Sequence, residues 1–334
     1  MIPVVIIGLG RIGAGNIGLA GEMPLSHLAA IRSVSGLSVT ALVDPDPQAR
    51  AALQLAQPEM KNICIAADLD ELPQTADEII AICTPAETHA VILEKALIRK
   101  PRIVVVEKPF ASSLAEAHRM ACLVEGAGSV VRVNFNRRFD VRHLRWRAKA
   151  PPSPLAIVMR YGKGLMNYGS HLVDLLLDWY GPVESVQALG TVETRTADPS
   201  PSFRCRMAAG FDATAVGIDG LDYDQFEIDI FDHAGRIESR AGGADFRRYV
   251  PVDGLHYQGY RHLAEIESER DTGPVGGFTE LYSAIVRHIT DGASLPGCDG
   301  RAALAGIAVL EAIERSMAAG GKILSPEIRL RQAT

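Results

Sequence analysis

The sequence predicts a doubly wound parallel α/β sheet, followed by an α+β domain with a large, mostly antiparallel sheet. Two observations support this order. Short apolar runs alternate with helical stretches in the first third of the chain, whereas strand-like runs follow one another closely further on. Alternation is typical of β-α-β units, and clustered strands are typical of antiparallel sheets. Because 334 residues exceed one ordinary core, we expect domains at residues 1–125 and 126–334.

Five apolar runs in the N-terminal part are predicted to be strands of one parallel sheet. Each is short and nearly free of polar residues, as expected of strands that helices cover on both faces. The runs are 2–7, 37–43, 79–83, 103–106 and 130–135. Helices are predicted between them, near 25–33, 46–56, 87–100 and 113–125.

The C-terminal part is predicted to contain one helix and then a series of strands. Apolar residues fall on one face of the segment 167–180, which predicts an amphipathic helix. The strand-like runs that follow are 183–189, 203–209, 213–218, 226–231 and 235–239. Two helices, near 279–291 and 301–319, are predicted after them.

Composition and charge restrict the class of protein. Hydrophobic residues make up 47% of the chain and charged residues 22%, which is typical of a soluble globular protein. A net charge of -6 gives no attraction to a nucleic-acid backbone. No apolar run reaches the ~18 residues that span a bilayer. The five cysteines are far apart and form no metal-binding or disulfide pattern, so we expect no metal site and a cytoplasmic location.

A glycine-rich loop with the spacing G-x-G-x-x-G directly follows the first predicted strand. Gly8 permits a tight turn, Gly10 lets the backbone approach a pyrophosphate, and Gly13 allows a helix to pack closely on the strand. Free N–H groups at the start of that helix favour an anion. Within a β-α-β pattern, this loop predicts a Rossmann domain that binds a dinucleotide, with Arg11 and Ile12 in the same cradle.

An acidic residue, Asp44, ends the second predicted strand. A carboxylate at this position accepts hydrogen bonds from the ribose hydroxyls of a dinucleotide. Its charge would repel a 2′-phosphate, which favours NAD over NADP. The structural alternative is an acid that only caps the turn or the next helix.

Two groups are candidates for proton transfer. Lys108 stands in a Glu-Lys-Pro tripeptide after the predicted strand at 103–106, and ligands bind at the carboxyl ends of such strands. His171 and Asp174 are three residues apart, so they share a face of a helix. A histidine there suits proton exchange with a hydroxyl near neutral pH. Each has a structural alternative, because Glu-Lys-Pro is common on surfaces and histidines at helix starts are often structural.

Two other histidines have simpler interpretations. His27 is expected to be a packing residue of the first helix. His89 follows Thr84 and Pro85 at a predicted helix start, where it either lines the site or caps the helix.

Taken in order, the motifs resemble those of the Gfo/Idh/MocA oxidoreductases, which are related to glucose–fructose oxidoreductase and inositol dehydrogenase. They are the glycine loop, Asp44, Cys83-Thr84-Pro85, the Glu-Lys-Pro tripeptide and the segment Gly169-Ser170-His171-Leu172-Val173-Asp174. The resemblance covers nearly the whole chain. It implies an NAD(H)-dependent enzyme that acts on a CH–OH group of a sugar, inositol or nucleotide-sugar substrate. It also implies a homodimer or homotetramer formed through the C-terminal sheet.

The resemblance assigns roles around the cofactor. Lys108 and His171 match the residues that face the nicotinamide ring and the reacting carbon. Thr84 and Pro85 match the loop beside the cofactor, and Glu107 matches a position near its nicotinamide end.

Residues further along the chain are implied to contact the substrate. Asn136 and Arg137 resemble a segment whose arginine approaches the cofactor or the substrate, and Asp174 is a candidate for a substrate hydroxyl. Asn167 departs from the family pattern, since many family dehydrogenases carry an aspartate there, four residues before the histidine. An amide cannot supply the charge that would stabilise an imidazolium. Two rival functions therefore stay open: NAD sensing without catalysis, and redox-assisted glycoside hydrolysis.

Overall fold

The computed structural model describes residues 1–15, 24–60, 63–190, 196–254, 258–270 and 276–328. Within these residues the chain forms two compact units. The first comprises Met1–Asp140 and Gly276–Ile307, and the second comprises Val141–Val275 and the segment that begins at Ala308.

The first unit contains a six-stranded sheet in which every neighbouring pair is parallel. Its strands are β1 (Ile2–Ile7), β2 (Leu37–Val43), β3 (Cys64–Ala66), β4 (Ile79–Ile82), β5 (Ile103–Glu107) and β6 (Val130–Asn134). The order is β3-β2-β1-β4-β5-β6, so the direction of strand addition reverses between β1 and β4. The predicted doubly wound sheet is confirmed; β3 escaped prediction because only three residues form it.

The described part of the first unit contains four α-helices before Asp140, and three of them begin at a residue whose side chain caps the helix. The helices are α1 (His27–Ser33), α2 (Pro47–Ala56), α3 (His89–Ile98) and α4 (Leu114–Gly126). The side chains of Ser26, Asp46 and Ser113 accept hydrogen bonds from backbone N–H groups in the first turns of α1, α2 and α4. These bonds satisfy N–H groups that a helix start leaves without partners, which sets where each helix begins.

The second unit contains an eight-stranded sheet and two helices. Its elements are α5 (Val141–Arg147), β7 (Ala156–Tyr161), α6 (Ser170–Tyr180), β8 (Val183–Leu189), β9 (Ser202–Met207), β10 (Asp212–Gly217), β11 (Phe226–Asp232), β12 (Gly235–Arg240), β13 (Asp245–Asp253) and β14 (Arg261–Arg270). The strand order is β14-β13-β12-β11-β7-β10-β9-β8, and only the β7–β10 pair is parallel. The predicted mostly antiparallel sheet is confirmed.

The chain then forms α7 (Phe278–Asp291) and α8 (Gly300–Ala318). Helix α7 packs on α1 in the first unit. Leu281 and Ile285 of α7 join Leu28 and Ile31 of α1 in one buried apolar cluster. This return of the chain brings a distant helix to the N-terminal sheet.

The boundary predicted between residues 125 and 126 falls inside the first unit. Strand β6 continues the parallel sheet, because it pairs with β5 from Ile103 to Glu107. Beyond it, the Asp140 carboxylate accepts a 3.0 Å hydrogen bond from the N–H of Gly276. The first unit therefore extends to Asp140 and also includes the later segment Gly276–Ile307. The amino-acid composition does not indicate that the chain returns to the first unit.

Three strands of the second sheet were not predicted. Central strand β7 directly follows a proline-rich segment, and β13 and β14 carry many charged residues. Strand β14 is the edge of the sheet and is exposed along most of its length. An edge strand needs no continuous apolar run, so its sequence resembles a loop.

A membrane-spanning helix and a cluster of metal-binding side chains are both absent from the described part of the chain. None of its helices is both long and apolar enough to cross a membrane. Nor does it place three or more His, Cys, Asp or Glu side chains where they could together hold a metal ion.

Candidate active site

The predicted cofactor residues of the first unit follow three adjacent parallel strands. The glycine loop follows β1, Thr84 follows β4, and Lys108 follows β5. These strands lie on both sides of the point where strand order reverses. In doubly wound sheets a crevice opens at this point, outside the carboxyl ends of the strands, and ligands bind there.

The three glycines of the loop have different surroundings. Gly8 has φ of +94°, and a Cβ there would lie 2.8 Å from the carbonyl group of Cys83. A Cβ on Gly13 would overlap the carbonyl oxygen of Gly8. By contrast, among the described residues no atom beyond the glycine and its chain neighbours lies within 4 Å of where a Cβ on Gly10 would be. Two glycines thus serve the protein's own packing, whereas Gly10 faces open space, which fits a dinucleotide phosphate passing close to the backbone.

The Asp44 carboxylate is tied to the glycine loop. Its Oδ2 accepts a hydrogen bond from the N–H of Leu9 at 2.7 Å, and its Oδ1 accepts one from the N–H of Asp46 at 2.9 Å. The cap of α2 is Asp46 and not Asp44. Each carboxylate oxygen keeps further acceptor capacity, so the half-buried Asp44 can shape the loop and still bind ribose hydroxyls.

The loop after β4 is fixed by His89 and Thr88. Thr88 Oγ1 donates to Thr84 Oγ1 at 2.8 Å. The buried His89 ring lies between two carbonyl oxygens, with Nε2 2.8 Å from that of Thr84 and Nδ1 3.2 Å from that of Phe110. His89 therefore links the loops that follow β4 and β5, and it does so as a structural residue of the site. Pro85 is exposed beside Thr84.

Glu107 is buried and lies at the centre of a polar cluster. Its Oε1 accepts hydrogen bonds from His27 Nε2 at 2.8 Å and from Asn134 Nδ2 at 2.6 Å. Burial alone would raise the pKa of the carboxyl group. The bonds from His27 and Asn134 and the charges of His27 and Lys108 outweigh that effect, so the pKa lies below its ordinary value. Glu107 is therefore an anion inside the domain.

Lys108 is half-buried directly after this anion. Its backbone N–H donates to Glu107 Oε2 at 3.2 Å, and the peptide bond to Pro109 is cis. Arg11 and Ile12 are exposed on the turn that follows Gly10. The predicted cofactor residues of the first unit thus lie at the end of the sheet where the carboxyl ends of its strands are found.

Asn136 and Arg137 lie in a short 3-10 helix, Asn136–Arg138, just after β6. Asn136 Nδ2 donates to the carbonyl oxygen of Gly276 at 3.2 Å, and a Cβ on Gly277 would overlap the carbonyl oxygen of Asn136. Asn136 therefore anchors the start of α7. Arg137 is buried, with 8% of its surface exposed.

Asn167, His171 and Asp174 belong to the second unit. His171 and Asp174 lie in the first turns of α6, and both are buried; the Asn167 side chain is exposed. The His171 ring meets Phe226 edge-on, with 6.5 Å between ring centroids. Sharing one helix and one buried environment, His171 and Asp174 keep the relationship that their spacing predicts.

A loop that the sequence analysis missed holds the turn before α6. Residues Gly164–Gly169 form a π-helical turn. The Asp198 carboxylate accepts hydrogen bonds from the N–H groups of Met166 at 2.9 Å and Asn167 at 3.0 Å. Ser200 Oγ accepts one from Gly164 N–H at 2.9 Å. Asp198 is 32 and 31 residues away from the two N–H groups that it caps. No pattern in a short stretch of sequence therefore predicts this cap.

Comparison with known proteins identifies the first unit. Residues 2–135 match the Gfo/Idh/MocA family, described as an oxidoreductase family with an NAD-binding Rossmann fold. Residues 2–135, which are less than half of the chain, therefore form a domain of the Gfo/Idh/MocA oxidoreductase family. The resemblance that the motifs indicate is thereby confirmed, and so is NAD as the cofactor of the domain.

Curated relatives match about two fifths of this chain. Inositol 2-dehydrogenase from Leifsonia xyli is 36% identical over 133 residues, which are 39% of this chain and 37% of the relative. Inositol 2-dehydrogenase from Rhizobium meliloti is 28% identical over 135 residues, 40% of this chain and 37% of the relative. The chain thus spans a little over a third of the length of the curated relatives it matches.

A solved structure resembles nearly the whole chain in fold. An oxidoreductase from Agrobacterium radiobacter, in complex with NAD+, L-tartaric acid and magnesium, has a TM-score of 0.75. It is 18% identical in sequence, and the match covers 97% of this chain and 98% of that protein. At this identity the comparison concerns the fold.

Proposed function

We propose that the protein is an NAD(H)-dependent oxidoreductase that interconverts a CH–OH group and a carbonyl group on a sugar, inositol or nucleotide sugar. One observation carries this proposal: in one sheet, Gly10, which leaves room for a ligand, follows β1 and the amine-bearing residue Lys108 follows β5, on opposite sides of β4 at the point where strand order reverses. The named activity of the curated relatives supports a polyol-like substrate. Their match covers about two fifths of the chain, so the substrate class rests on that part of it.

The residues of the first unit fit NAD. Gly10 leaves room for the pyrophosphate, and Asp44 presents a fixed negative charge near the loop. This charge disfavours the 2′-phosphate of NADP. When bound, the oxidised nicotinamide supplies an acceptor for the hydrogen and electron pair that leave the substrate carbon.

In this proposal Lys108 and His171 act on the substrate oxygen. Lys108 donates a hydrogen bond to that oxygen and stabilises the charge that develops on it. His171 takes the hydroxyl proton during oxidation and returns it during reduction. The pairing of these residues, which lie in different units, rests on the family resemblance, as do substrate contacts by Arg137, Asn167 and Asp174.

The test is absorbance at 340 nm with NAD+ or NADP+ and a panel of sugars, inositols and nucleotide sugars. We expect NADH formation with one substrate class, and at least a ~100-fold lower kcat in Lys108→Met. NAD affinity of that variant should stay within a few fold of wild type. Lys95→Met is the matched control, since it removes another half-buried lysine, one that pairs with Asp68 and Asp70.

Wild-type protein that binds NAD but reduces none of it with any substrate would contradict the proposal. Release of sugar from a glycoside by that protein, without net NADH, would indicate the redox-assisted hydrolase. Binding of NAD without either reaction would indicate the sensor. Unchanged turnover in Lys108→Met would refute the role of the lysine.

We also propose that the protein forms a homodimer or homotetramer through the outer face of the eight-stranded sheet. That face carries a charged cluster around Asp229, which accepts hydrogen bonds from Arg160, Arg236 and Arg240 at 2.6–3.3 Å. Val216 on β10 is 42% exposed. A paired and nearly neutral face of this kind suits a self-complementary contact. The cytoplasmic location stays a prediction from cysteine usage.

A further inference from the structure

Four buried polar side chains form a chain of hydrogen bonds beneath Lys108. The Tyr282 hydroxyl on α7 lies 2.6 Å from His27 Nδ1 on α1, and His27 Nε2 lies 2.8 Å from Glu107 Oε1 at the end of β5. Asn134, at the end of β6, donates to the same carboxylate oxygen. His27 and Tyr282 have no exposed surface. Elements far apart in sequence thus converge on one anion.

Tyr282 and Glu107, the residues at the two ends of this hydrogen-bond network, have defined protonation states. The pKa of Tyr282 is raised well above its ordinary value, because of burial and then the nearby Cys83 and Glu107, so the phenol keeps its proton. Glu107 is ionised and can only accept. His27 lies between these two residues, and its Nε2 donates to the Glu107 carboxylate.

The anion has a second contact, which leads to Lys108. Oxygen Oε2 of Glu107 accepts the backbone N–H of Lys108 at 3.2 Å. The carboxylate and the Lys108 ammonium also attract each other electrostatically. The remaining titratable neighbour is Cys83, whose thiol pKa is raised well above its ordinary value by burial and by Glu107, so it stays neutral.

Such a cluster is costly inside a domain. Buried ionic and polar groups pay for desolvation, and well-packed apolar residues of similar volume often give equal or higher stability. The cluster lies at the carboxyl ends of β5 and β6, in contact with the backbone of Lys108, not in the middle of the sheet. Its position therefore points to a role at the site.

We propose that Tyr282, His27 and Glu107 form a positioning relay that holds a fixed anion beneath Lys108 and keeps the lysine charged and oriented toward the substrate oxygen. This inference rests on the proposed function, since it assigns Lys108 to the reaction. The three residues act through Lys108 and are positioning residues.

The first experiment measures Lys108 without substrate. A trace amount of an acylating reagent is applied from pH 7 to pH 11, and acylation of Lys108 is quantified by mass spectrometry. Removing the anion in Glu107→Gln should favour the neutral, reactive amine. We expect at least a threefold faster labelling at pH 8, and a smaller increase in Tyr282→Phe. The exposed Glu94→Gln and Tyr223→Phe are matched controls and should label Lys108 at the wild-type rate.

The second experiment uses turnover. In Glu107→Gln the alkaline limb of the kcat/KM profile should move to lower pH, because the lysine loses its proton more easily, with NAD affinity within a few fold of wild type. Lys108 labelling and an alkaline limb at wild-type positions in both variants would overturn the relay. A merely structural role would lower the melting temperature without moving either pH profile.

Two controls keep the outcomes separate. If wild type turns over none of the substrates, the proposed function fails, while the labelling experiment still decides on the relay. If a variant does not fold, 15N-histidine NMR of wild type remains. The relay requires a proton on His27 Nε2 for the hydrogen bond to Glu107, and a ring protonated on Nδ1 alone would overturn it.

Discussion

The carboxylate of Asp44 accepts a 2.7 Å hydrogen bond from the backbone N–H of Leu9, between the first two glycines of the loop. This bond joins the end of β2 to the loop that follows β1. It holds a negative charge in place before any ligand arrives. Asp44 therefore combines two roles that the sequence presented as alternatives, since it organises the turn and keeps acceptor capacity for a ribose.

The Asp44 charge should set the choice of dinucleotide. Asp44→Asn retains an oxygen that accepts from Leu9 but removes the charge. We expect NAD affinity to fall by about tenfold, from loss of charge-assisted ribose bonds, and the preference for NAD over NADP to shrink by at least that factor. Calorimetric titration with both dinucleotides measures this. Asp46→Asn, which still caps α2, is the control, and an unchanged preference in Asp44→Asn would contradict the assignment.

Two glycine-to-alanine changes in one loop should separate ligand binding from folding. Gly10→Ala meets no atom of the described residues beyond its own chain neighbours, so the free energy of unfolding should stay within about 1 kcal/mol of wild type while NAD affinity falls. Gly13→Ala would overlap the Gly8 carbonyl oxygen and should cost at least ~2 kcal/mol. Melting curves and NAD titrations of both variants test this. Wild-type NAD affinity in Gly10→Ala would show that no phosphate passes there.

Asp198 should stabilise the turn that leads to His171. Asp198→Ala leaves the N–H groups of Met166 and Asn167 without their acceptor, and we expect a loss of about 1–2 kcal/mol. Urea unfolding compares it with Asp222→Ala, a change at an exposed aspartate. Because His171 follows this turn, kcat should also fall in Asp198→Ala. Equal stability of the two variants would rule out the cap.

Glu107 should make stability depend on acid pH. Its pKa in the folded protein lies below the ordinary value of 4.5. The ionised carboxylate therefore contributes stability that is present above the unfolded pKa and is lost as pH falls through the folded one. Wild type should lose more melting temperature between pH 5 and pH 3 than Glu107→Gln does. Glu94→Gln should follow wild type, and parallel curves for wild type and Glu107→Gln would contradict the prediction.

The outer face of the second sheet should mediate self-association. Val216→Lys places a charge on that face, whereas Val91→Lys makes the same change on exposed positions of α3. Size-exclusion chromatography with light scattering should show an oligomer for wild type and Val91→Lys and a smaller species for Val216→Lys. A monomeric wild type, or a Val216→Lys variant of unchanged mass, would contradict this interface.

Local patterns were enough to predict five of the six strands of the first sheet and its glycine loop. Strands covered on both faces need apolar runs, and the turn at Gly8 needs a residue that tolerates positive φ, so both leave traces in short stretches of sequence. The same reasoning failed for β13 and β14. Strand β14 is the edge of the sheet and β13 is its neighbour, so both strands tolerate charged residues. Only the strand order shows this.

The sequence by itself determined the Rossmann domain, the glycine loop with Asp44, and the placement of Lys108 at a strand end. Each depends on residues close together in the chain. Only the tertiary structure decided that His27, predicted to be a packing residue, bridges Glu107 and Tyr282. These two partners are 80 and 255 residues away from His27 in the sequence. Hydrogen bonds of that kind depend on how helices dock on a sheet, and docking is a property of the whole folded chain.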